Sequence, residues 1–265
     1  MFSIRIRALF RVFLWMSLVC GLQVHQLATA AASAEESLAA SDAIRNPGRP
    51  FAVTVTLTEF LNGKQVDTST LRSYSRTEQN GQFSSLIQFV LPARDAGKLM
   101  LKNGSDMWFF DPTSKASVRL SPQQRLLGQA SNGDVATVNL AKDYKATLVA
   151  EEQIQDGERK IRKARKLALV AISPDVTYAS IEIWVDAENN QPLKARFFAE
   201  STRLLKTVYY RRFQSQLGAE RPTESVIIDG LNPQAVTLMR FSDYAARNIP
   251  DTWMQRDYLP RFQPE

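Results

Sequence analysis

Between Phe51 and Thr58 the chain alternates without a break. Phe51, Val53, Val55 and Leu57 take one side, and Ala52, Thr54, Thr56 and Thr58 the other. A period of two fits a strand with one buried face and does not fit a helix. Asn62-Gly63 then marks a tight hairpin that returns through Thr70–Glu78, and Asn80-Gly81 marks the next, returning through Phe83–Leu91. The rhythm continues through Lys98–Lys102, Met107–Phe110, Ala116–Leu120, Tyr144–Glu151, Arg159–Ile172 and Thr177–Val185. It ends with Leu193–Glu200, Leu204–Phe213, Thr223–Ile228 and Val236–Tyr244. About eleven strands, with turns roughly every 8–12 residues and no βαβ alternation, predict a single mainly β domain, either sheet or barrel.

Three segments depart from this rhythm. Glu35–Asn46 has helical composition and is stopped by Pro47-Gly48. Ser121–Leu140 is long, polar and punctuated by glycine, which inside a compact β domain suits a lid or binding loop. Leu126 and Leu127 are its apolar pair and the lid candidates, with simple loop anchoring as the competing reading. The tail Ile249–Phe262 carries Pro250, Trp253, Tyr258 and Phe262, and is expected as a short helical turn across an open edge.

The function classes open to this chain are narrowed by its start. Arg5, Arg7 and Arg11, the apolar run Val12–Val24, and the small-residue sites Ala28-Thr29-Ala30 and Ala32-Ser33-Ala34 read as a secretory signal over residues 1–34. The domain proper is then 35–265, about 230 residues, enough for a sizeable core. Val12–Val24 is shorter than the ~20 apolar residues of a membrane span. Cys20-Gly21 offers lipidation as the alternative, although Val19 occupies the place where a small residue is wanted. The only histidine, His25, and the only cysteine, Cys20, both lie in this leader. Cleavage near Ala30 or Ala34 therefore leaves no imidazole, thiol or disulfide. It also removes three of 33 basic residues and no acidic one, leaving 30 against 27, a mild net charge of +3. Nucleic acid is not an expected partner of such an exported chain.

Catalytic templates fail in turn. No two glycines stand two apart, no Gly-Lys-Ser/Thr phosphate loop occurs, and a Ser/His/Asp triad lacks its histidine. Asp186-x-Glu188-x-Asn190 mimics the start of a calcium loop, but Gln191 stands where the glycine is needed, so a polar hairpin turn is expected. Glu151 and Glu152 are strand neighbours that face opposite ways, a poor acid/base pair. A carboxylate-only hydrolase built from distant residues is the remaining enzymatic reading. Otherwise no enzyme, cofactor or metal is expected. The basic run Arg159–Lys166 could meet anionic headgroups or an acidic partner. The blander reading, a charged face that protects a sheet edge and is neutralised by Glu151, Glu152, Asp156 and Glu158, is preferred.

Four stretches carry a family resemblance. Gly104-Ser-Asp-Met-Trp108-Phe-Phe-Asp111-Pro112, then Arg125-Leu-Leu-Gly128, then Ile181-Glu-Ile-Trp184-Val-Asp186 with Gln191-Pro192-Leu193-Lys194, and finally Asp251…Tyr258-Leu259-Pro260 occur in the order of the LolA/LolB-like superfamily. Together they resemble its outer membrane lipoprotein-sorting branch, from about residue 50 to 262. The resemblance implies an incomplete, unclosed antiparallel β-barrel with lid loops and short helices over a hydrophobic cavity. It implies a monomeric periplasmic carrier that holds the acyl chains of a lipoprotein or other lipid and moves them toward the outer membrane. An inner-membrane transporter and an outer-membrane acceptor would be its partners. An RseB-like envelope sensor is the alternative. The family's lid arginine sits in an Arg-Pro context, whereas the nearest text here is Leu91-Pro92-Ala93-Arg94, so that role is not carried over.

Alternation supplies the candidate lipid-binding residues of the inner face. These are Val53, Val55, Leu57; Ile87, Phe89; Leu99, Leu101; Met107, Phe109; Ile181, Ile183, Val185; and Leu193, Phe197, with Leu126 and Leu127 above them. Ordinary core packing is the competing reading for each.

Overall fold

The computed structural model describes residues 34–263; the leader, with Cys20, His25 and most of the proposed signal segment, lies outside the described residues. Helix α1 covers residues 34–45. The first strands are β1 (Phe51–Leu61), β2 (Lys64–Thr77), β3 (Phe83–Leu91), β4 (Leu99–Asn103), β5 (Asp106–Asp111) and β6 (Ala116–Arg119). A small ribbon of β7 (Arg125–Leu127) and β8 (Ala130–Ser131) and the short helix α2 (Leu140–Asp143) come next. The chain closes with β9 (Tyr144–Gln155), β10 (Ile161–Ala171), β11 (Ser180–Asp186), β12 (Pro192–Phe198), β13 (Leu204–Gln216), β14 (Ala219–Asp229) and β15 (Ala235–Ala246).

Thirteen strands form one antiparallel sheet in the order β6-β5-β4-β3-β2-β1-β15-β14-β13-β12-β11-β10-β9. Two meanders meet where β1 pairs with β15, with Leu57 opposite Met239 and Val55 opposite Phe241. Strands β6 and β9 are not paired with each other, so the barrel is unclosed, as the resemblance implied. Bulges bend the sheet. Asp243, in a left-handed conformation at φ 53°, is the extra residue opposite the Ala52/Thr54 step of β1, and such insertions increase local curl.

Alternation gives each strand a concave and a convex side. Val53, Val55 and Leu57 of β1 share the concave side with Leu71, Ile87, Met100, Leu167, Leu169, Ile181, Ile183, Val185, Val208, Ile227 and Met239, all buried in one cluster. Helix α1 lies against this side through Ala34 and Leu38, which are 1% and 0% exposed. On the convex side of β2–β5 a second cluster joins Tyr74, Leu86, Leu99, Leu101 and Phe110 to Ile249, Trp253, Met254 and Leu259 of the tail. The tail forms two 3-10 turns, Asp251–Met254 and Arg256–Arg261, and covers a sheet face instead of the edge expected for it. Tyr74, Trp253 and Phe262 pack edge to face there, the arrangement that sets the positive rim of one ring against the negative face of the next.

Topology explains the long interruption at 121–140. It is the connection between β6 and β9, the two opposite edges of the open sheet, and the shortest way between them crosses the concave side.

Candidate functional site: a roofed cavity on the concave face

A cavity of about 150 Å³ lies between the concave face and the crossing segment. Its floor comes from Phe51, Val53 and Val55 of β1, Phe197 of β12, Val208 and Tyr210 of β13, Ser225 and Ile227 of β14, and Met239, Phe241 and Tyr244 of β15. Residues 133–138 and Leu140 form the roof, Arg45 and Asn46 close one side from the end of α1, and Tyr144, Thr177 and Tyr178 close the other.

The roof is held by polar groups. Asp134 accepts from the Ser131 amide at 2.7 Å and the Tyr178 hydroxyl at 2.8 Å, and pairs with the Lys206 ammonium from β13. Lys206 is 3% exposed, with its ammonium 4.8 Å from the Tyr178 ring centre and 5.5 Å from that of Phe197. Burial pushes its pKa down while Asp134 opposes the shift. The Thr137 hydroxyl donates to Ser75 at 2.7 Å and its amide to Ser85 at 3.1 Å, two serines that also bond each other at 2.9 Å. Close approach demands glycine twice. A Cβ on Gly133 would stand 2.3 Å from Thr177 Oγ1, and one on Gly128, which sits at φ +53°, 2.3 Å from Thr237 Oγ1. Beside Gly128, the Gln129 amide donates to that same Thr237 hydroxyl at 2.8 Å.

Helix α1 is fixed to the roof and to the sheet. Asp42 accepts from the Ala141 amide at 2.8 Å and pairs with Arg45 at 2.7 Å. Arg45 and Asn46 both donate to the Val138 carbonyl, at 3.2 and 2.9 Å. Arg221 donates to the Ala43 and Ile44 carbonyls at 3.0 and 2.6 Å, placing a cation where the helix end is negative. Around the cavity, burial raises the pKa values of Tyr144, Tyr178, Tyr210 and Tyr244, the last to about 12.

Of the residues that alternation put forward, Val53, Val55 and Phe197 are on the cavity wall. Leu57, Ile87, Phe89, Met107, Phe109, Ile181, Ile183 and Val185 share the concave side but belong to packed core away from the wall. Leu126 and Leu127 are half-buried against that core, and it is residues 133–138 that face the space. Three residues are on the wrong side. Leu99 and Leu101 lie opposite Phe110 and Trp108 under the tail, and Met100 between them takes the inner place. Leu193 is the extra residue of a bulge, between the pairs Trp184–Lys194 and Val185–Pro192, which turns it outward against Trp184 and Ala164. Sequence reading missed Tyr210, Met239, Phe241, Tyr244 and Lys206. Lys206, Val208 and Tyr210 alternate in phase along β13, and Met239 and Phe241 do so along β15, but the bulge at Asp243 puts Tyr244 out of phase with them.

The other motifs have structural uses. Asp186 accepts from the Glu188 and Asn189 amides at 2.9 and 3.1 Å, shaping the β11–β12 turn, and pairs with Arg162 at 2.7 Å. Glu152 accepts from the Trp184 indole at 2.5 Å. In the basic run, Arg162 is shared between Asp156 and Asp186, Lys166 pairs with Glu182, and Arg165 donates to Asn190. Among the described residues no group of three or more His, Cys, Asp or Glu side chains could hold a metal ion.

Comparison with known proteins agrees with this geometry. A family model described only as an uncharacterized protein matches residues 81–261. A LolA superfamily protein from Nitrosomonas europaea is 33% identical, with 85% of this chain and 99% of that chain covered and a TM-score of 0.76. An outer membrane lipoprotein-sorting protein domain from Vibrio parahaemolyticus is 16% identical over 87% of this chain and 100% of that one, with a TM-score of 0.71. A DUF1329 family protein from Desulfovibrio piger is 19% identical over 87% and 99%, with a TM-score of 0.73, and like the Vibrio domain shows the fold. No curated protein matches the chain. An unclosed antiparallel sheet curved about a roofed cavity defines a LolA-like fold. The chain belongs to the LolA superfamily.

Proposed function

We propose that this protein is a periplasmic carrier that holds an acyl chain of a lipoprotein or other lipid in the concave cavity and moves it toward the outer membrane. The observation that carries this reading is space left beneath a roof fastened by polar contacts, on an otherwise packed apolar face. The description of the Vibrio relative as a lipoprotein-sorting domain supports it. No chemical step is needed, so no enzyme activity or cofactor is part of the reading, and the carrier acts as a monomer. A donor in the inner membrane and an acceptor in the outer membrane complete the route.

At about 150 Å³ the cavity is below the ~300–1,000 Å³ of ordinary ligand pockets, so loading requires the roof to lift. Burying a chain returns ~0.8 kcal/mol per methylene, which more than offsets a few broken hydrogen bonds. Export uses the leader, and cleavage after Ala30 rather than Ala34 preserves the buried Ala34 that seats α1. A sensor role has less support, since the basic run Arg159–Lys166 that would dock a partner is largely occupied by intramolecular partners.

Native mass spectrometry and lipid extraction of protein purified from the periplasm test the proposal. An acyl-lipid adduct released on denaturation is expected. Uniformly bare protein, able to take up no added lipid, would overturn it.

A further inference from the structure

The sheet leaves free space on both sides, and the larger share is convex. Away from the tail, a cleft of about 440 Å³ opens between the β9–β10 turn and β12–β14. Residues 154–157 form its wall, and Lys194, Tyr209, Arg211 and Val226 its floor. These four alternate with the concave Ala195, Val208, Tyr210 and Ile227, so they point away from the roofed cavity. The volume falls within the ~300–1,000 Å³ of ordinary ligand pockets. The wall comes close to the floor: a Cβ on Gly157 would stand 3.2 Å from Tyr209 Cβ and 3.3 Å from Arg211 Cβ.

The floor carries cations in excess. The Lys194 ammonium sits 4.9 Å from the Trp184 ring centre and 5.4 Å from that of Tyr209, and no ion pair engages it among the described residues. Ring faces hold a cation in place without answering its N–H donors. Arg211 pairs with Glu224, but that buried carboxylate is shared with Arg240 at 2.7 Å and Arg212 at 3.6 Å. One carboxylate thus serves three guanidiniums. The wall's only carboxylate, Asp156, is engaged by its own turn. It accepts from the Glu158 and Lys160 amides at 2.8 and 2.9 Å and stands 3.6 Å from Arg162.

An apolar chain would find only Val226 here and leave Lys194 unanswered. A phosphate brings several acceptor oxygens and enough charge for two cations at once. Lys194 lies opposite Tyr209, and Arg211 follows Tyr209 on the same face, so the two cations are neighbours. We infer that the convex cleft binds a phosphate-bearing anion, with Lys194 and Arg211 as its cationic contacts. The phosphate belongs to a lipid headgroup or to a soluble phosphate ester. The sheet separates this site from the concave cavity, so it stands whether or not the cavity takes lipid.

The test titrates the mature protein, at low ionic strength, with glycerol 3-phosphate and with phosphatidylcholine vesicles containing or lacking phosphatidylglycerol. Lys194→Gln should weaken binding about tenfold, the worth of a charge-assisted hydrogen bond. Lys145→Gln removes the same charge from exposed β9 and should change affinity less than about twofold, because distant surface charges are screened. Binding of glycerol 3-phosphate that Lys194→Gln weakens supports a soluble ester as the source. Binding only to phosphatidylglycerol vesicles, with the same dependence on Lys194, supports a headgroup. Equal losses in the two variants would mean general attraction to a basic protein and overturn the inference, as would no binding of either probe. Should Lys194→Gln not fold, amide and indole resonances of wild type decide. Shifts on titration must centre on Gly157, Tyr209 and the Trp184 indole; shifts centred elsewhere overturn the site.

Discussion

Two regions of the sheet are covered, and in opposite ways. The convex side of β2–β5 is sealed by the tail through rings, Trp253 against Tyr74 at 5.3 Å and against Phe262 at 4.8 Å, with Met254 and Leu259 filling between. The concave side around β1 and β13–β15 is covered by residues 133–138, which hang on Asp134, Thr137 and the neighbouring Gln129 amide. Apolar covering closes space and is cooperative with folding, because every ring removed leaves a hole. Polar covering fixes position with a few replaceable bonds and tolerates space behind it. The first region is architecture. The second has the makings of a door.

The comparison breaks most visibly at Trp253. Trp253→Ala removes a side chain only 6% exposed and should cost about 3–5 kcal/mol in urea unfolding. The loss should appear in the single global transition, with the cavity region exchanging amide hydrogens as before at low temperature. Lys206→Met is the matching cut on the other side. It leaves Asp134 with the Tyr178 hydroxyl and the Ser131 amide but no cation, and should cost about 3 kcal/mol. Here hydrogen exchange should rise first in residues 129–138, ahead of the strands. Equal loosening of roof and tail by either variant would show that the two covers are one cooperative unit.

Alkaline pH sharpens the contrast without mutation. Tyr144, Tyr178, Tyr210 and Tyr244 border the cavity with pKa values raised by burial, while the unfolded chain ionises its tyrosines near 10. A raised folded value means stability that is intact below pH 10 and lost above it, as the unfolded state sheds protons the folded state keeps. For Tyr244, the window runs from pH 10 to about 12. Each such tyrosine should cost about 1.4 kcal/mol per pH unit. Ultraviolet titration should show no phenolate absorbance from these four near pH 10 while the protein stays folded; reversible ionisation of all four there would refute the burial argument.

How far the site was legible in the sequence follows from what alternation can encode. It placed Val53, Val55, Ile181 and Ile183 on the concave side because β1 and β11 run regularly there. It misplaced Leu193 because a bulge shifts the register by one residue, and a period of two has no memory across an insertion. Leu99 and Leu101 misled for a different reason. Both faces of β4 are buried, so Leu-Met-Leu carries no contrast, and only the tail decides which side is which. The length of 121–140 marked it out as a lid or binding loop, yet which of its residues would face the cavity depends on the two edges it must join. Leu126 and Leu127 are apolar and anchor the approach, whereas the roof itself holds Gly133, Asp134 and Thr137, chosen for close fit and hydrogen bonding.

The smallest effect is the most informative about the roof. Thr137 donates twice into the serine pair of β2 and β3, once from its hydroxyl to Ser75 and once from its amide to Ser85. Thr137→Val keeps the shape and the amide bond and deletes only the hydroxyl, while Ser75 retains Ser85 as a partner at 2.9 Å. The expected loss is therefore about 1 kcal/mol. In thermal unfolding that is a shift of roughly 2–4 °C for a domain of this size. In the amides of 133–138 it should read as about a fivefold faster exchange, because the roof opens without the sheet. If the carrier proposal holds and the roof lifts before entry, uptake of a fluorescent fatty-chain probe should speed up by a similar factor. Exchange and uptake at wild-type rates would mean that the hydroxyl contacts do not hold the roof, and the distinction between a packed cover and a fastened one would lose its physical basis.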